Sequence, residues 1–276
     1  MQSTREIKIN DVIASVQTDV GCVREANEDS GRHVRPSDLY VQATKGTLTI
    51  VADGMGGHAS GEVASQMAVE LISQFYYADD ANPPEVALKN AVELASREIY
   101  QTSLTNENYY GMGTTLVALA LQNNTAFVAH VGDSRLYRLR AGVFEQITED
   151  HSQVMEMVKY GIISREEAKN HEDKNVILRA MGTQADVEAE LTAPFAVHAN
   201  DVFLLCSDGL CDMLEDEEMR RILIESPDVH AACELLIEAA KNQGGHDNIT
   251  VGIVKISSSG EAETKTVRAT RDINIA

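Results

Sequence analysis

The sequence of 276 residues contains 43 acidic and 23 basic side chains, which gives a formal net charge of −20 at pH 7. Proteins that bind nucleic acid need a basic surface that displaces counterions, and here Lys and Arg form no cluster longer than the pair Arg220 and Arg221. Nucleic acid is therefore excluded as the main partner. A hydrophobic content of 43% and a mean hydropathy of −0.20 exclude a disordered acidic chain and a membrane protein, so we expect a soluble globular protein.

The sequence also carries signals about its compartment. No stretch approaches 18 consecutive apolar residues, and the first ten residues, MQSTREIKIN, lack the apolar segment of a signal peptide. The four cysteines form no C-x-x-C pair, which favours reduced structural thiols over a zinc site. A cytoplasmic protein without a membrane span is expected.

Short apolar runs rich in Val, Ile and Thr predict strands, several of them buried on both faces, at 47–52, 114–121, 125–131, 202–206 and 249–256. Helical periodicity predicts helices at 60–77, 85–100 and 231–242. A more polar helical zone at 151–181 is interrupted by a glycine and restarts at a capping box formed by Ser164 and Glu167. Strands in runs with helix pairs between them favour an α+β layered sandwich over regular βαβ alternation.

Four aspartates adjoin these apolar runs. Asp53 ends TLTIVAD, Asp133 ends TAFVAHVGD, Asp208 ends DVFLLCSD, and Asp247 opens DNITVGIV. Each one alone is an ordinary turn signal. Together they predict carboxylates that converge at one edge of a sandwich, where mutual repulsion and burial would raise their pKa values unless a cation is bound.

The type of ligand narrows the choice of cation. Sites made only of oxygen ligands select Mg²⁺, Mn²⁺ or Ca²⁺ over zinc. No loop has the ligand spacing of a calcium-binding EF-hand, and ligands dispersed along the chain suggest a catalytic pair of ions that activates water for attack on phosphorus. Gly54 and the glycines after it allow the backbone to approach an ion closely.

Phosphate chemistry also requires a group that binds the anion. Arg24, in VREANEDS, is the best candidate because a guanidinium can make two parallel contacts to phosphate. The alternative is an arginine that merely pairs with the neighbouring Glu28 and Asp29. The residues alone leave both possibilities open.

Eight motifs, in this order along about residues 11–256, resemble those of the metal-dependent serine/threonine protein phosphatases of type 2C, most closely the bacterial branch. They are VREANEDS, VADGMGGH, GMGTT, VGDSRLYRL, TEDHS, LRAMG, CSDGL and GGHDNITV. The resemblance implies a four-layer αββα sandwich of two antiparallel sheets flanked by helices, with two Mn²⁺ or Mg²⁺ ions, and room for a weaker third ion, between the sheet edges. It further implies a single catalytic domain at 1–256, and the stretch 257–276, which lacks periodicity, is expected to be a flexible C-terminal tail.

The resemblance assigns roles to the matching positions. It implies that Asp53 bridges two ions, that the carbonyl of Gly54 joins one of them, and that Asp208 and Asp247 hold the other. Glu28 would act mainly through a metal-bound water.

Further positions follow from the same motifs. Asp133 would hold the third ion together with Asp208, Arg24 would bind phosphate, and residues 153–182 match the variable flap beside the active site. Animal members carry a histidine, proposed as general acid, at the position of Met55, whose thioether cannot donate a proton. His58 is the nearest substitute in the motif, and a metal-bound water is the alternative.

Three other histidines are less informative. His130 alternates within a predicted strand and is read as a core residue with satisfied hydrogen bonds. His151 is expected at a helix start capped by Asp150 or Ser152, and His246 adjoins a predicted ligand.

The predicted function is therefore hydrolysis of phosphoserine and phosphothreonine in proteins, opposing a bacterial serine/threonine kinase on shared substrates, by a protein that is expected to be monomeric. A regulatory binding module without activity and a phosphohydrolase of small phosphate esters are the alternatives. A cysteine-dependent phosphatase is disfavoured because no cysteine is followed by a glycine-rich loop that ends in arginine. The absence of a P-loop disfavours a kinase or NTPase.

Overall fold

The computed structural model describes residues 12–56 and 60–257. The strands in this part of the chain are β1 Val12–Asp19, β2 Asp29–Val34, β3 Thr47–Met55, β4 Gly113–Thr114, β5 Leu116–Gln122, β6 Thr125–Val131, β7 Arg135–Arg140, β8 Val143–Gln146, β9 Glu190–Ala196, β10 Val202–Cys206 and β11 Ile249–Ile256. The α-helices are α1 Leu39–Lys45, α2 Ser60–Ala78, α3 Pro84–Thr105, α4 Gln153–Lys159, α5 Arg165–Lys169, α6 Asp208–Cys211, α7 Asp216–Glu225 and α8 Val229–Asn242.

The strands form two antiparallel sheets that pack face to face. The first sheet has the order β1-β11-β10-β7-β8, and the second has the order β2-β3-β5-β6-β9, with β4 paired to β3. Apolar side chains from both sheets, among them Val51, Val117, Phe203 and Val254, form the buried layer between them. Burial of this layer is the main favourable term that holds the sheets together.

Helices cover the outer face of each sheet. The apolar faces of α2 and α3 pack on the second sheet, and those of α7 and α8 pack on the first. The layers are thus helix, sheet, sheet and helix, which confirms the predicted α+β sandwich.

The predicted strands agree with the structure most closely where the apolar run is continuous, as at β6, β10 and β11. The strand predicted at 114–121 is interrupted at Thr115, whose hydroxyl accepts a hydrogen bond of 3.1 Å from the N–H of Asp53. Asp53 does not end its strand, because β3 continues to Met55. The interruption therefore lies beside the predicted bridging carboxylate.

The predicted helices are all present, and α3 continues five residues beyond its predicted end, to Thr105. The last helix begins two residues earlier than predicted, since the side chain of Asp228 accepts hydrogen bonds from the N–H groups of His230 and Ala231. The polar zone contains α4 and α5, and Ser164 and Glu167 form the predicted capping box. The hydrophobic pattern did not predict the strands β1, β2, β7, β8 and β9, which are polar or half-exposed. It also did not predict α1 and α6, which are short, or α7, which is mostly polar.

Two predictions concern segments beyond the described residues. His58 lies in the undescribed stretch 57–59, and the predicted tail lies outside the description after Ser257. Among the residues that are described, no helix has the length and apolar character needed to cross a membrane.

Candidate metal and phosphate site

Acidic side chains from both sheets meet at one edge of the sandwich. Asp29 and Asp53 are cross-strand neighbours on β2 and β3 of the second sheet. Asp208 begins α6 directly after β10 of the first sheet, and Asp133 lies in the connection between β6 and β7, which joins the two sheets. The structure therefore brings the aspartates of distant motifs into one cluster, as the sequence predicted.

The charges in this cluster interact strongly. Burial, followed by the negative charges of Asp29, Asp208 and Asp133, raises the pKa of Asp53 well above its ordinary value. Burial and neighbouring carboxylates also raise the pKa of Asp208, which is linked to Asp53 by a side-chain hydrogen bond. Two carboxylates in this position share a proton at neutral pH unless a cation replaces it.

The neighbours of this pair show the same effect. Burial, with the charge of Asp208 next, raises the pKa of Asp133 to about 8. Burial likewise raises the pKa of Asp29 to about 7, against the opposing effect of its hydrogen bonds. The whole cluster is therefore held in an environment that disfavours its ionised form.

Two carboxylate oxygens in this cluster have no hydrogen-bond partner among the described residues. These are Oδ1 of Asp133 and Oδ1 of Asp208, both of them buried. A buried polar atom without a partner carries a full desolvation penalty. A hard cation would remove both the missing contacts and the repulsion, and carboxylate oxygens are the ligands that Mg²⁺ and Mn²⁺ prefer.

Asp29 belongs to the cluster although the sequence analysis placed it only as a neighbour of Arg24. Its Oδ2 accepts a hydrogen bond of 2.7 Å from the hydroxyl of Ser207, and Ser207 in turn accepts from the N–H of Thr250 at 3.0 Å. This chain of contacts ties β2 of the second sheet to β10 and β11 of the first. The available signal was an acidic residue at the start of a strand directly after Glu28.

Arg24 and Asp247 form the exposed rim of the site. Nη2 of Arg24 donates to Oδ2 of Asp247 at 2.7 Å, and the two side chains are 53% and 36% exposed. The predicted alternative partners of Arg24 were Glu28 and Asp29, but its ion pair is formed with Asp247, 223 positions away. Within the described ranges, Asp247 is the one hydrogen-bond acceptor of this guanidinium, so its remaining N–H groups have no protein partner there.

Asn248 holds the loop that carries Arg24 and Glu28. Its side-chain N–H groups donate to the carbonyls of Val20 and Ala26, and its Oδ1 accepts from the N–H of Glu28 at 2.8 Å. Burial raises the pKa of Glu28, and the guanidinium of Arg24 lowers it. Asn248 was not predictable from its local sequence, because an asparagine beside an aspartate is an ordinary turn signal.

Gly54 stands where the backbone is packed too closely for a side chain. A Cβ atom at this position would lie 2.1 Å from the carbonyl oxygen of Gly61 and 2.5 Å from that of Glu28. Its N–H donates to the same Glu28 carbonyl at 3.1 Å. This close approach explains why the position is a glycine, and the role of its carbonyl as a metal ligand stays a prediction.

A buried ion pair forms the wall beside Asp133. Nε and Nη2 of Arg135 donate to both carboxylate oxygens of Asp150 at 2.7–3.0 Å, and Nη1 donates to the hydroxyl of Tyr137. The side chain of Asp150 is only 8% exposed. Arg135 is thereby fully engaged within the protein, whereas Arg24 is not.

A second polar group lies outside the aspartate cluster. His130, His151 and Glu190 place three potential ligand atoms within 4.8 Å of one another. Nδ1 of His151 accepts from the N–H of Gly132, so its Nε2 carries the proton that is donated to Glu190. Nε2 of His130 similarly donates to the carbonyl of Glu149. Because both ring nitrogens of His151 and one of His130 are used in these hydrogen bonds, we interpret the group as a hydrogen-bonded cluster and not as a metal site.

The same contacts refine the histidine predictions. His130 is in the core, but its Nδ1 has no partner among the described residues, so its hydrogen bonds are only half satisfied. Of the two predicted caps beside His151, Ser152 is the one that accepts from Met155, while Asp150 binds Arg135.

Comparison with known proteins supports a single interpretation of this geometry. The pattern of the family described as Protein phosphatase 2C matches residues 26–242. The serine/threonine phosphatase stp of Listeria innocua is 40% identical over 247 residues, which cover 88% of this chain and 95% of that protein.

Solved structures agree. The structure of the Mycobacterium tuberculosis serine/threonine phosphatase PstP/Ppp superposes with a TM-score of 0.79 at 36% identity, covering 89% of this chain and 99% of that one. The catalytic domain of PstP in complex with two manganese ions gives a TM-score of 0.76 at 36% identity, covering 89% and 98% of the two chains. The fold, the aspartate cluster and these similarities lead to one conclusion: the chain belongs to the protein phosphatase 2C family, among its bacterial serine/threonine phosphatases.

Proposed function

We propose that this phosphatase hydrolyses phosphoserine and phosphothreonine residues of proteins at the edge where its two sheets meet. The observation that carries the proposal is the cluster of Asp29, Asp53, Asp133 and Asp208, with Arg24 on its rim. A structural role alone would not favour buried carboxylates that repel one another. We further propose that residues 1–256 form one catalytic domain.

The side chains fit a pair of divalent ions, Mn²⁺ or Mg²⁺. Asp53 would bridge the two, the carbonyl of Gly54 would join one, and Asp208 and Asp247 would hold the other. When bound, such ions supply an activated water and offset the charge of the phosphoryl group. The relative whose structure contains two manganese ions supports this choice of metal.

Two further acidic residues complete the predicted set. The unpartnered oxygen of Asp133 suits a third ion shared with Asp208. Glu28 would act through a metal-bound water; it is half-buried near Arg24, and its backbone N–H is held by Asn248.

Arg24 would bind the phosphate. In its observed position it donates to Asp247 through Nη2 alone, and a guanidinium can use its other N–H groups for two parallel bonds to phosphate oxygens. The exposure of the side chain leaves it free to turn toward a phosphoryl group. Binding there would orient the phosphorus for attack from the side of the aspartates.

Met55 cannot donate the proton that the leaving alkoxide needs. This residue ends β3 next to the site, and its thioether sulfur carries no proton. His58 stays a prediction as the general acid, and a water at the site is the alternative.

We also propose a cytoplasmic location, a monomeric state and a kinase as partner. All four cysteines are free thiols, as expected in the reducing cytoplasm. A net charge of −20 disfavours self-association and supports a monomer. A serine/threonine kinase with shared substrates is the expected partner, because reversible phosphorylation requires an opposing enzyme.

The test is release of phosphate from a phosphothreonine peptide and from an aryl phosphate, in Mn²⁺, Mg²⁺ or EDTA. We expect turnover that requires the metal and that falls by more than a hundredfold in Asp208→Asn, while Asp186→Asn, an exposed aspartate paired with Arg97, retains it. Unchanged turnover in EDTA would overturn the metal mechanism. Hydrolysis of the aryl phosphate alone would favour a small-ester phosphohydrolase, and no turnover with Mn²⁺ would favour a binding module.

A further inference from the structure

A cavity runs from the aspartate cluster beneath the flap. Here the flap means residues 153–182, and the ridge means residues 208–225, which contain α6 and α7. The cavity has a volume of about 380 Å³, and its lining includes Asp133 and Asp208 at one end, Ser152, Met155 and Asn170 on the flap side, and Leu214 on the ridge. This volume is within the range of about 300–1,000 Å³ that is usual for ligand pockets.

The two halves of the flap are attached in different ways. Near its base, backbone hydrogen bonds join Gln153 to Val176, Leu178 to His151 and Met181 to Thr114. The outer half contains α5, a helix of five residues whose start is held by the Ser164 capping box. So short a helix has little stability of its own, and its position must depend on contacts with the rest of the protein.

Two ion pairs join this outer half to the ridge. Nζ of Lys169, the last residue of α5, contacts Oε2 of Glu215 at 2.5 Å. Nζ of Lys174 contacts Oδ2 of Asp212 at 2.8 Å. Both acidic partners lie in the segment between α6 and α7, so the pairs reach across the cavity from one wall to the other.

The charges favour this arrangement beyond the direct contacts. The hydrogen bond to Glu215 raises the pKa of Lys169, and the nearby charges of Glu166 and Asp216 act in the same direction. The N–H of Asp212 donates to the carbonyl of Asp208 at 2.8 Å. Through Lys174 and Asp212, the flap is therefore attached to the same helical turn that presents Asp208.

We infer that this cavity receives the segment of the phosphoprotein beside the phosphorylated residue, and that the ion pairs Lys169–Glu215 and Lys174–Asp212 hold its two walls at the correct separation. The inference rests on the proposed protein phosphatase activity. Lys169 and Lys174 are positioning residues, since they act by placing the flap wall and not on the reacting atoms. An aryl phosphate needs only the aspartate cluster and Arg24, whereas a peptide must also lie against both walls.

The test compares KM and kcat for a phosphothreonine peptide and an aryl phosphate in the Mn²⁺-loaded full chain. We expect Lys169→Met to raise KM for the peptide about threefold, and Lys169→Met with Lys174→Met to raise it about tenfold, because one exposed ion pair contributes at most a fewfold change in affinity. The kcat for the peptide and both constants for the aryl phosphate should change less than twofold. A preformed wall lowers the cost of ordering on binding, which appears in KM.

Two control variants separate position from charge. Lys169→Arg with Lys174→Arg keeps both ion pairs and should keep the KM of the parent protein. Lys89→Met removes an exposed lysine that pairs with Glu93 on α3, and it should also leave KM unchanged. If Lys89→Met raised KM as much as Lys169→Met, the effect would be one of net charge, and the inference would be wrong.

Hydrogen exchange provides a readout that does not depend on activity. Amide exchange in residues 165–175 should become several times faster in the double Met variant and remain unchanged in residues 177–182, which lie at the attached base. Unchanged exchange at 165–175 would overturn the inference. So would an equal rise in KM for both substrates, since this would place the effect at the aspartate cluster.

The outcomes also distinguish this inference from the proposed function. If the parent protein does not hydrolyse the peptide, the proposed function fails. If it hydrolyses both substrates and the variants leave the KM for the peptide unchanged, only the role of the ion pairs fails.

Discussion

The aspartate cluster lies at one end of the cavity and the flap forms one of its walls, and these two regions are built in contrasting ways. The aspartates project from strands or strand ends of two sheets, and Asp53 and Asp208 are surrounded by like charges in a buried setting. The flap has two short helices, and its outer half is attached to the ridge by ion pairs of exposed lysines. The cluster is held in a buried setting at an electrostatic cost, whereas the outer half of the flap is held by exposed ion pairs.

The two regions differ in how their positions are maintained. Strands of a packed sandwich can hold repelling carboxylates in place because the surrounding burial supplies far more stability than the repulsion removes. Weak surface ion pairs cannot do so, but they allow a wall to adjust to different protein substrates. The same substitution should therefore have a much larger effect in the first region than in the second.

The largest difference is expected between two basic residues. Arg135→Met leaves Asp150 buried without its main partner and should lower the free energy of unfolding by about 3 kcal/mol. Lys169→Met in the flap should change it by less than about 0.5 kcal/mol, as is usual at exposed positions. Chemical denaturation of both variants in EDTA measures this difference. Equal losses would show that the two regions do not differ in rigidity.

A pair of glycines provides the next comparison. Gly54→Ala places a Cβ against the carbonyls of Gly61 and Glu28, which should cost about 2–3 kcal/mol and displace Asp53. Gly161→Ala in the flap meets nothing within 4 Å and costs only the strain of its φ of +69°, about 1 kcal/mol. Thermal unfolding and phosphate release test both. Full activity in Gly54→Ala would contradict the close approach described above.

The aspartate cluster alone should make the stability of the metal-free protein depend on pH. Burial raises the pKa of Asp29 to about 7 and that of Asp133 to about 8, from the ordinary 3.8. Between about pH 4 and 8 the folded protein therefore holds more protons than the unfolded chain, so the free energy of unfolding falls as pH rises.

Denaturation in EDTA at several pH values measures this slope. Asp133→Asn should reduce it, because the amide does not ionise, and saturating Mn²⁺ should stabilise the protein most at high pH, where the carboxylates are free to bind. A substitution of Asp173 on the flap, which is not buried, should leave the slope unchanged. Stability that rises with pH in EDTA would contradict the raised pKa values.

The smallest effect is expected at the flap helix cap. Ser164→Ala removes the side chain that accepts from the N–H of Glu167 and should destabilise α5 by about 1 kcal/mol. Because α5 packs little against the core, hydrogen exchange should quicken about fivefold in 165–170 with no change in global unfolding. Loss of global stability would show that the flap and the sandwich unfold as one unit.

Much of this architecture was predictable because its signals are local. Continuous apolar runs predicted β6, β10 and β11 with correct ends, since residues buried on both faces are almost all apolar. The capping box at Ser164 was equally local. Strands such as β1 and β7 were missed because their exposed or charged positions hide the alternation.

The site was predictable only in part. Asp53, Asp133, Asp208 and Asp247 stand beside apolar runs, so their convergence follows from the packing of strands. Asp29 was placed only as a neighbour of Arg24, because its role depends on a hydrogen bond to Ser207, 178 positions away. The partner of Arg24 was likewise nonlocal, because its hydrogen bond goes to Asp247 and not to the acidic residues near it in sequence.

The sequence by itself determined the fold class, the family and the residues that gather at the edge of the sandwich, since these depend on hydrophobic periodicity and short motifs. Only the tertiary structure decided which carboxylates share a proton, which arginine is fully engaged in the interior and which makes a single exposed ion pair, and how the flap is attached to the ridge. The physical reason is that pKa values and ion pairs depend on distance and burial, and both are set by contacts between residues far apart in the chain.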